Sequence, residues 1–317
     1  MGRQITVTVG APASGKTTWA MKRMEMLMDR GQKYVWAERD DIREKYAARK
    51  NIAPHGKEWS KRDEERVSAT QTAMIVDALK EDDIEVLITD TNLNHKTMRR
   101  WENLAKEFNA ELVVVAFHTE HRTLFELNEQ RKGHKRVPDK VMRDFIVKMV
   151  EQYPFPVNGS SEIKRPILLG EYDDFKEIEH SDTVIVDMDG TLAKMGNRSP
   201  YDDHRADQDT VNKPVYDTVQ ALSAAGYKLL IMSGRDEGRS RTVTRTWLSK
   251  NGVNYRWLLM RPEGDHMKDS VVKHDLLVKF IDQYGHVPVM ALDDRDQVVR
   301  VWRDMGITCF QVADGNF

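Results

Sequence analysis

The sequence predicts an α/β protein with two domains, each a mostly parallel sheet flanked by helices. Three observations predict this fold class. The chain has 317 residues, which exceeds the usual size of a single hydrophobic core. Apolar runs typical of strands buried on both faces alternate with helical patterns in both halves. A turn-rich stretch that begins at Pro154 separates the halves, so we expect domains at residues 1–155 and 181–317 and a linker at 156–180.

In the first half, β-branched and apolar runs predict four strands, and 3.6-residue periodicity predicts the helices between them. The expected strands are Gln4–Val9, Tyr34–Ala37, Ile84–Thr89 and Glu111–Phe117, and the expected helices cover about 17–28, 60–80, 97–107 and 138–153. Ser60 and Asp63 have the spacing of a capping box, which places the start of the second helix. Pro138 is suited to the first turn of the last helix.

The second half repeats the alternation with unrelated sequence. The expected strands are Thr183–Val186, Lys228–Met232, Arg256–Met260 and Val289–Leu292, and the expected helices cover about 213–225, 239–251, 269–284 and 297–305. Polar residues follow the carboxyl ends of these strands, where open parallel sheets bind ligands. In the linker, the apolar run Ile167–Leu169 predicts one strand or short helix.

Composition excludes several classes of protein. The chain is 40% hydrophobic and carries 49 basic and 51 acidic residues, which excludes a disordered chain. Its single cysteine, Cys309, cannot form an internal disulfide, so a reducing cytoplasm is expected. No signal-like start and no run of about 18 apolar residues occurs, so we expect neither secretion nor a membrane partner.

Charge also limits how the protein could meet nucleic acid. Residues 1–155 carry a net charge of +3 and residues 156–317 carry −5, so neither half is a basic arm. Any contact with nucleic acid is therefore expected to be local, at a site.

The sequence GAPASGKT at residues 10–17 matches the phosphate-binding loop G-x-x-x-x-G-K-[ST]. It follows a predicted strand and precedes a predicted helix, which is the context that the loop requires. Lys16 would reach the β- and γ-phosphates, and the Thr17 hydroxyl would bind Mg²⁺. The predicted ATP site consists of Gly10, Ala13, Ser14, Gly15, Lys16, Thr17 and Thr18, with Arg131 from a later loop.

Residues for a phosphoryl acceptor follow the next strands. Asp40 could deprotonate a hydroxyl while Arg43 holds an anionic group, and Asp90 ends a buried strand at the Walker-B position. The basic cluster at 131–136 could close over phosphates as a lid. By spacing alone, each of these groups could also be a solvated turn or loop.

Asp187-x-Asp189-Gly-Thr follows a strand and indicates a second phosphoryl-transfer site. The first carboxylate would attack a phosphoryl group, and the second would protonate the departing oxygen and later activate water. Mg²⁺ must then neutralise the crowded charge, and Asp293 and Asp294 supply further carboxylates at another strand end. Ser233 and a lysine before the last strand complete a phosphoryl-binding set.

The sequence resembles two known superfamilies in order. GAPASGKTTWA, RDDIRE, TDTNLN and the Asn128-x-x-Arg131 lid are similar to P-loop kinases, and DMDGTLAKM, SGR, KDSVVK and LDDRDQVVRVWRDMGI are similar to haloacid dehalogenase-superfamily phosphatases. Together they resemble the polynucleotide 5′-kinase/3′-phosphatases of T-even bacteriophages, over nearly the whole chain. The resemblance implies a P-loop kinase fold followed by a haloacid dehalogenase-like Rossmannoid fold.

The resemblance also implies roles for individual residues. Asp40 would be the general base of the kinase, supported by Arg43 and Asp90, and Arg131 would stabilise the transferring phosphoryl group. An apparent extra residue in the lid leaves Lys132 as the alternative to Arg131. In the phosphatase, the implied residues are the nucleophile Asp187, the acid/base Asp189, the substrate contacts Arg198 and Arg235, the phosphoryl ligands Ser233 and Lys273, and the metal ligands Asp187, Asp189, Asp293 and Asp294. Lys268 is the alternative to Lys273.

The pairing of activities suggests a function. A kinase and a phosphatase on one chain would cancel each other at the same position, but a broken strand has two ends that need opposite changes. We therefore expect ATP- and Mg²⁺-dependent repair of DNA or RNA ends, in cooperation with a ligase and with a homo-oligomer implied by the resemblance. The alternatives are a fused metabolite kinase/phosphatase and a non-catalytic protein that binds nucleic-acid ends.

Overall fold

A computed structural model of the chain describes residues 2–153, 167–168, 179–196, 198–199 and 202–315. The described residues divide into two compact units. The first contains residues 2–153 and the short strand at 167–168, and the second contains the residues from 179 onward.

The first unit is a parallel sheet of five strands in the order β2-β3-β1-β4-β5. The strands are β1 (Gln4–Val9), β2 (Lys33–Trp36), β3 (Ile84–Ile88), β4 (Glu111–His118) and β5 (Ile167–Leu168). The helices are α1 (Lys16–Asp29), α2 (Arg39–Lys50), α3 (Lys61–Ala78), α4 (His95–Glu107), α5 (His121–Glu129) and α6 (Asp139–Gln152), with a 3₁₀ turn at Gly133–Lys135. The central strand β1 aligns Ile5 with Val86 on one side and with Leu112 on the other.

Local sequence sets the boundaries of these elements. The predicted capping box is present, because the Ser60 side chain accepts from the Asp63 N–H and the Asp63 side chain accepts from the Ser60 N–H. Asn94 caps α4 in the same way, through Lys96 N–H. The core lies on the sheet, where Trp101 is fully buried beside the apolar side chains of β1 and β3.

The second unit is a second parallel sheet, in the order β10-β9-β6-β11-β12, with a small antiparallel pair β7-β8. The strands are β6 (Glu179–Val186), β7 (Ala193–Lys194), β8 (Thr210–Val211), β9 (Lys228–Asp236), β10 (Trp257–Arg261), β11 (His286–Asp293) and β12 (Thr308–Gln311). The helices are α7 (Lys213–Ala224), α8 (Glu237–Lys250), α9 (Asp269–Tyr284) and α10 (Asp296–Asp304), with a 3₁₀ helix at Asp203–Gln208. Trp247 and the apolar side chains of β6 and β9 belong to its core.

The predicted fold class is confirmed, and the structure adds two helices that periodicity did not predict. Only Ile42 and Ala47 are buried in α2, so its sequence carries no apolar stripe. In α5, two of the three buried residues are the polar His121 and Asn128. In the predicted linker, Ile167–Leu168 pairs with β4, and Glu179 already belongs to β6. Most of that linker lies outside the described residues.

Among the described helices, none combines the length and the apolar character that a membrane crossing requires.

Candidate active sites

The loop between β1 and α1 has the conformation that its glycines allow. Gly15 has a φ of 91°, and Ala13 has a φ of 66°, which lies in the left-handed region. A Cβ at Gly10 would lie 2.7 Å from Ser14 Oγ and 2.9 Å from Phe117 Cβ, so only glycine fits there. The loop delivers Lys16 as the first residue of α1, as the motif predicts.

Lys16 is buried and bonded to its own loop. Its Nζ donates to Ala11 O at 2.6 Å, to Gly10 O at 3.1 Å and to Ser14 Oγ at 3.2 Å. Burial lowers the pKa of Lys16 to about 7, and the charge of Arg131 adds to this effect. The carboxylates of Asp90, Asp40 and Glu38 oppose it. The Lys16 amine therefore lies within the loop, where it could exchange these hydrogen bonds for contacts with a phosphate.

Glu38 is a functional candidate that the sequence reasoning missed. The Thr17 hydroxyl donates to Glu38 Oε1 at 3.3 Å, so this carboxylate lies at the predicted magnesium ligand. Burial raises the pKa of Glu38 to about 7, and repulsion by Asp40 adds to the effect. Its position directly before Arg39 and Asp40, after strand β2, is the signal that could have indicated it.

Asp40 and Arg43 lie on the first turns of α2 and contact each other. Arg43 Nη1 donates to Asp40 Oδ1 at 2.5 Å, and Arg43 Nε donates to Glu64 Oε1 at 2.6 Å. Glu64, on α3, also accepts from Arg39 Nη2 at 2.7 Å. Glu64 therefore binds both arginines of the RDDIR segment, and no sequence pattern links it to them.

Asp90 lies at the end of β3, beside the start of α2. It accepts from Gln71 Nε2 at 2.8 Å and from the Arg39 N–H at 3.4 Å. Burial raises the pKa of Asp90, although the hydrogen bond from Gln71 and the charges of Arg39 and Arg43 oppose the rise. The structure thus brings Asp90 to the same site as Lys16 and Asp40.

The basic loop after α5 is closed by the buried side chain of Asn128. Its Nδ2 donates to Val137 O at 2.7 Å, and its Oδ1 accepts from the Val137 N–H at 3.0 Å. Arg131 lines the cavity above the loop, whereas Lys132 is exposed and does not. Burial lowers the pKa of Arg131, and Asp40 and Glu38 oppose the shift.

These groups line one cavity of about 970 Å³ within the first unit. Its lining includes nearly all of the residues predicted for the kinase, which are Ala13, Ser14, Gly15, Lys16, Thr17, Thr18, Asp40, Arg43, Asp90 and Arg131. Gly10 lies beneath the cavity and is buried.

The second site is built around a buried lysine. Lys273 Nζ lies 2.7 Å from Asp187 Oδ1, 3.0 Å from Asp293 Oδ2 and 3.7 Å from Asp269 Oδ2. Burial alone would lower the pKa of Lys273, but these carboxylates outweigh it and hold the pKa well above its usual range. Lys268 precedes α9 as its N-cap, and Lys273 is the lysine that the fold places between the aspartates.

Asp187, Asp293 and Asp294 come together at the carboxyl ends of β6 and β11. One carboxylate oxygen from each lies within 4.8 Å of the others, and all three residues are buried. Burial raises the pKa of Asp187 well above its usual range, and repulsion by Asp293 and Asp294 adds to the rise, whereas Lys273 opposes it. A buried group of this kind fits a divalent cation that prefers oxygen ligands.

Asp189 is held by two arginines. Its carboxylate accepts two bonds of 2.7 Å from Arg235 and one of 2.9 Å from Arg198. Burial acts to raise the pKa of Asp189, but these arginines outweigh it and lower the pKa. Its carboxylate is not part of the group of three aspartates and is paired with the arginines, so the structure does not bring this side chain to the metal site predicted for all four aspartates.

Asp209 is a second residue that the sequence reasoning missed. Its Oδ1 and Oδ2 accept from Arg198 at 2.8 and 2.6 Å, and its Oδ2 also accepts from Arg235 Nη2 at 3.1 Å. The side chain is 1% exposed. Asp209 lies just before β8 in a segment that matches no known motif, so the sequence did not indicate a functional role for it.

Close backbone contacts explain the glycines of this site. A Cβ at Gly190, whose φ is 87°, would lie 2.2 Å from Asp294 Oδ2, and one at Gly234 would lie 2.4 Å from Asp269 Oδ1. Ser233 lies within β9, where it is fully buried, and its hydroxyl accepts from the Arg235 N–H at 3.2 Å.

The first unit thus has the fold of a P-loop kinase, and the second has a haloacid dehalogenase-like fold. Family models match the same two regions: residues 5–156 match a family described as "AAA domain", and residues 181–317 match "Polynucleotide kinase PNKP phosphatase domain". In its domain composition, the chain is similar to PNKP-type kinase/phosphatases, because the two matches follow each other along the chain.

Individual proteins that resemble the chain share about a quarter of its residues. The chain is 27% identical, over 98% of its length, to the "Putative bifunctional polynucleotide kinase/RNA ligase" of Autographa californica nuclear polyhedrosis virus. It spans 42% of the length of that relative. Solved chains titled "Structure of Pnkp1/Rnl/Hen1 complex" and "Structure of the Pnkp1/Rnl/Hen1 RNA repair complex" are 27% and 26% identical, with TM-scores of 0.42 and 0.41 over the whole of this chain and 98% and 97% of those chains.

Proposed function

We propose that the chain is a bifunctional repair enzyme for nucleic-acid ends. Its first unit would transfer the γ-phosphate of ATP to a 5′-hydroxyl, and its second would hydrolyse a 3′-phosphate through an aspartyl-phosphate. The observation that carries the proposal is the presence of two separately built phosphoryl-transfer sites, one around Lys16 and one around Asp187. The match of residues 181–317 to the PNKP phosphatase family supports a polynucleotide as substrate.

In the kinase, Asp40 is proposed as the base that accepts the proton of the attacking 5′-hydroxyl. The hydroxyl oxygen bonds to the γ-phosphorus while the bond to the β,γ-bridging oxygen breaks, and ADP leaves. Arg43, fixed by Glu64 at 2.6 Å, would hold the acceptor end. Lys16 and Arg131, which face the same cavity, would neutralise the charge on the transferring group.

In the phosphatase, Asp187 is proposed to attack the phosphorus of the 3′-phosphate. The bond from phosphorus to the 3′ oxygen breaks, and Asp189 donates a proton to that oxygen. Asp189 then takes a proton from the water that attacks the aspartyl-phosphate, which releases phosphate and restores Asp187. Because Arg235 and Arg198 lower the pKa of Asp189, the free protein is already in the form that the second step needs, and the first step needs proton uptake.

Both sites have ligands for Mg²⁺. Asp187, Asp293 and Asp294 would hold one ion, and the Thr17 hydroxyl, with Glu38 beside it, would hold the ion that accompanies ATP. When bound, Mg²⁺ supplies positive charge against the phosphoryl oxygens. Ser233 and Lys273 would bind phosphoryl oxygens on the protein side.

A single oligonucleotide tests the proposal. An oligonucleotide with a 5′-hydroxyl and a 3′-phosphate is incubated with the protein, ATP and Mg²⁺ and is then weighed by mass spectrometry. We expect a product that has gained a 5′-phosphate and lost its 3′-phosphate. If the oligonucleotide stays unchanged while ATP or a simple phosphate ester is hydrolysed, the two sites are active but the acceptor is not a polynucleotide.

The products also define a partner by their chemistry. A strand with a 5′-phosphate and a 3′-hydroxyl is what a nucleic-acid ligase joins, so we propose that this protein acts before a ligase. The baculovirus relative, whose name includes RNA ligase, supports this order.

A further inference from the structure

The segment between α2 and α3 brings an aromatic ring to the mouth of the first cavity. His55 lines this cavity, and its φ of 58° lies in the left-handed region. Two backbone bonds hold the turn, from the Gly56 N–H to Ala53 O at 3.1 Å and from the Trp59 N–H to Gly56 O at 3.0 Å. The turn thus fixes the main chain from which the His55 ring projects.

A second ring lies behind the first. The centroids of His55 and Trp59 are 6.0 Å apart at an angle of 53°, and Trp59 meets Tyr46 edge to face at 6.0 Å. His55 is exposed, whereas Trp59 and Tyr46 are half-buried. The arrangement is an exposed ring supported by two packed ones, which suits the stacking of a flat ligand.

This aromatic group shares a carboxylate with the acceptor residues. Trp59 Nε1 donates to Glu64 Oε1 at 3.3 Å, and the same oxygen accepts from Arg43 Nε at 2.6 Å. Arg43 in turn contacts Asp40 at 2.5 Å. Trp59, the ring behind His55, is therefore linked through Glu64 and Arg43 to the residue proposed as the base of the kinase.

Other lining residues of the cavity come from a different part of the chain. Leu127, Val137 and Phe145 belong to the lid loop and the helices on either side of it, next to Arg131. At about 970 Å³, the cavity lies at the top of the range for one small ligand, so it has room for a donor nucleotide and the end of an acceptor. Because Asp40 and Arg43, the proposed acceptor residues, lie on α2, the acceptor is expected beside the α2–α3 segment and the donor beside the loop before α1.

We infer that the His55 ring, supported by Trp59, is a stacking site for the nucleobase of the 5′-hydroxyl end, an inference that rests on the kinase function proposed above. Single-stranded nucleic acids are commonly bound through bases stacked on aromatic side chains, histidine included. The site recognises a flat ring and not its hydrogen-bonding edge, so it would accept any of the bases.

The test combines a protein variant with a substrate variant. His55→Asn removes the ring and keeps a residue that tolerates a positive φ, so the turn is retained. Kinase KM and kcat are measured with a 5′-hydroxyl oligonucleotide and with the same oligonucleotide whose first nucleotide is abasic. For the natural protein, we expect the abasic end to raise KM about tenfold. His55→Asn should raise KM for the intact oligonucleotide by a similar factor and should have no further effect on the abasic one.

Other variants separate stacking from damage to the fold. Trp59→Ala removes the supporting ring, so it should raise KM for the intact oligonucleotide and have little further effect on the abasic one. His95→Asn makes the same substitution at an exposed histidine outside the cavity and should change nothing. Phosphatase activity serves as a folding control for every variant.

Several results would overturn the inference. An unchanged KM in His55→Asn, an equal rise on both oligonucleotides, or a rise in the KM for ATP alone would each exclude stacking of the acceptor base on His55. If the natural protein phosphorylates neither oligonucleotide, the kinase proposal itself fails, which is a separate outcome from an active kinase that is indifferent to His55.

Discussion

The two sites differ in the groups that surround their buried lysine. In the second unit, a lysine is held between buried aspartates, and two arginines are held between Asp189 and Asp209. In the first unit, the lysine is bonded to uncharged loop atoms, and Glu38, Asp40 and Asp90 surround an open cavity. The lysine of the phosphatase site is therefore paired with carboxylates before any ligand binds, whereas Lys16 of the kinase site forms no ion pair with another described residue and is left for a ligand. Four predictions test this difference, from the largest expected effect to the smallest.

The first prediction is that each activity can be removed alone. Asp187→Asn keeps the shape of the side chain but removes the nucleophile, so we expect phosphatase activity to fall by roughly 10³-fold or more. Lys16→Ala removes a charge from the transferring phosphoryl group, so kinase activity should fall by roughly 10²- to 10³-fold. Both activities are measured on both variants. A loss of both activities in either variant, with an unchanged melting temperature, would contradict independent sites.

The second prediction compares the two lysines by stability. Lys273→Met leaves Asp187, Asp293 and Asp269 without their shared cation, so it should lower the free energy of unfolding by about 3–5 kcal/mol in a chelator. Lys16→Met should be neutral or stabilising at pH 7. The folded pKa of Lys16 is about 7, below its unfolded value, so the charged amine opposes folding, and the cost disappears as pH rises above the unfolded pKa.

Chemical denaturation at pH 7 and at pH 9 measures this contrast. From pH 7 to pH 9, the free energy of unfolding of the natural protein should rise relative to that of the Lys16→Met variant. An equal loss of stability for both lysine variants would show that the two sites are paired to the same degree.

The sequence predicted the local motifs of both sites but not the partners that other elements supply. The P-loop and the Asp187 motif are short local segments whose glycines are fixed by close contacts, as at Gly10 and Gly190, so spacing alone identified them. Glu64 and Asp209 lie on other elements and act by pairing with arginines across the fold. No local pattern marks such a partner, because the pairing is created by tertiary structure. Helix α2 was not predicted because only two of its residues, Ile42 and Ala47, are buried, so its sequence has no apolar periodicity.

The third prediction concerns Asp209, which contacts the catalytic group only through arginines. Asp209→Asn weakens two charge-assisted contacts of Arg198 and one of Arg235, so the two guanidinium groups should hold Asp189 less firmly. We expect phosphatase activity to fall by about 10- to 100-fold, as when partners of catalytic ligands are removed, with kinase activity unchanged. Steady-state kinetics of both reactions provide the measurement. A variant with natural phosphatase activity would show that Arg198 and Arg235 hold Asp189 without help.

The last prediction involves no change of activity and uses the single cysteine, Cys309, to report whether the phosphatase unit stays closed. Burial raises the pKa of Cys309 to about 12, and repulsion by Asp293 adds to the rise. At pH 8 the thiolate fraction should therefore be on the order of 10³-fold lower than that of an exposed cysteine. We expect iodoacetamide to label the native protein very slowly and the urea-unfolded protein rapidly, as followed by intact mass. The first unit has no cysteine, so labelling reports on the second unit alone. We expect labelling to stay slow in Lys16→Met and to become rapid in Lys273→Met. This result would show that the second unit loses packing when its lysine no longer pairs with the aspartates. Rapid labelling of the natural protein would mean instead that this unit opens as readily as an exposed loop, and the contrast between a closed and an open site would not hold.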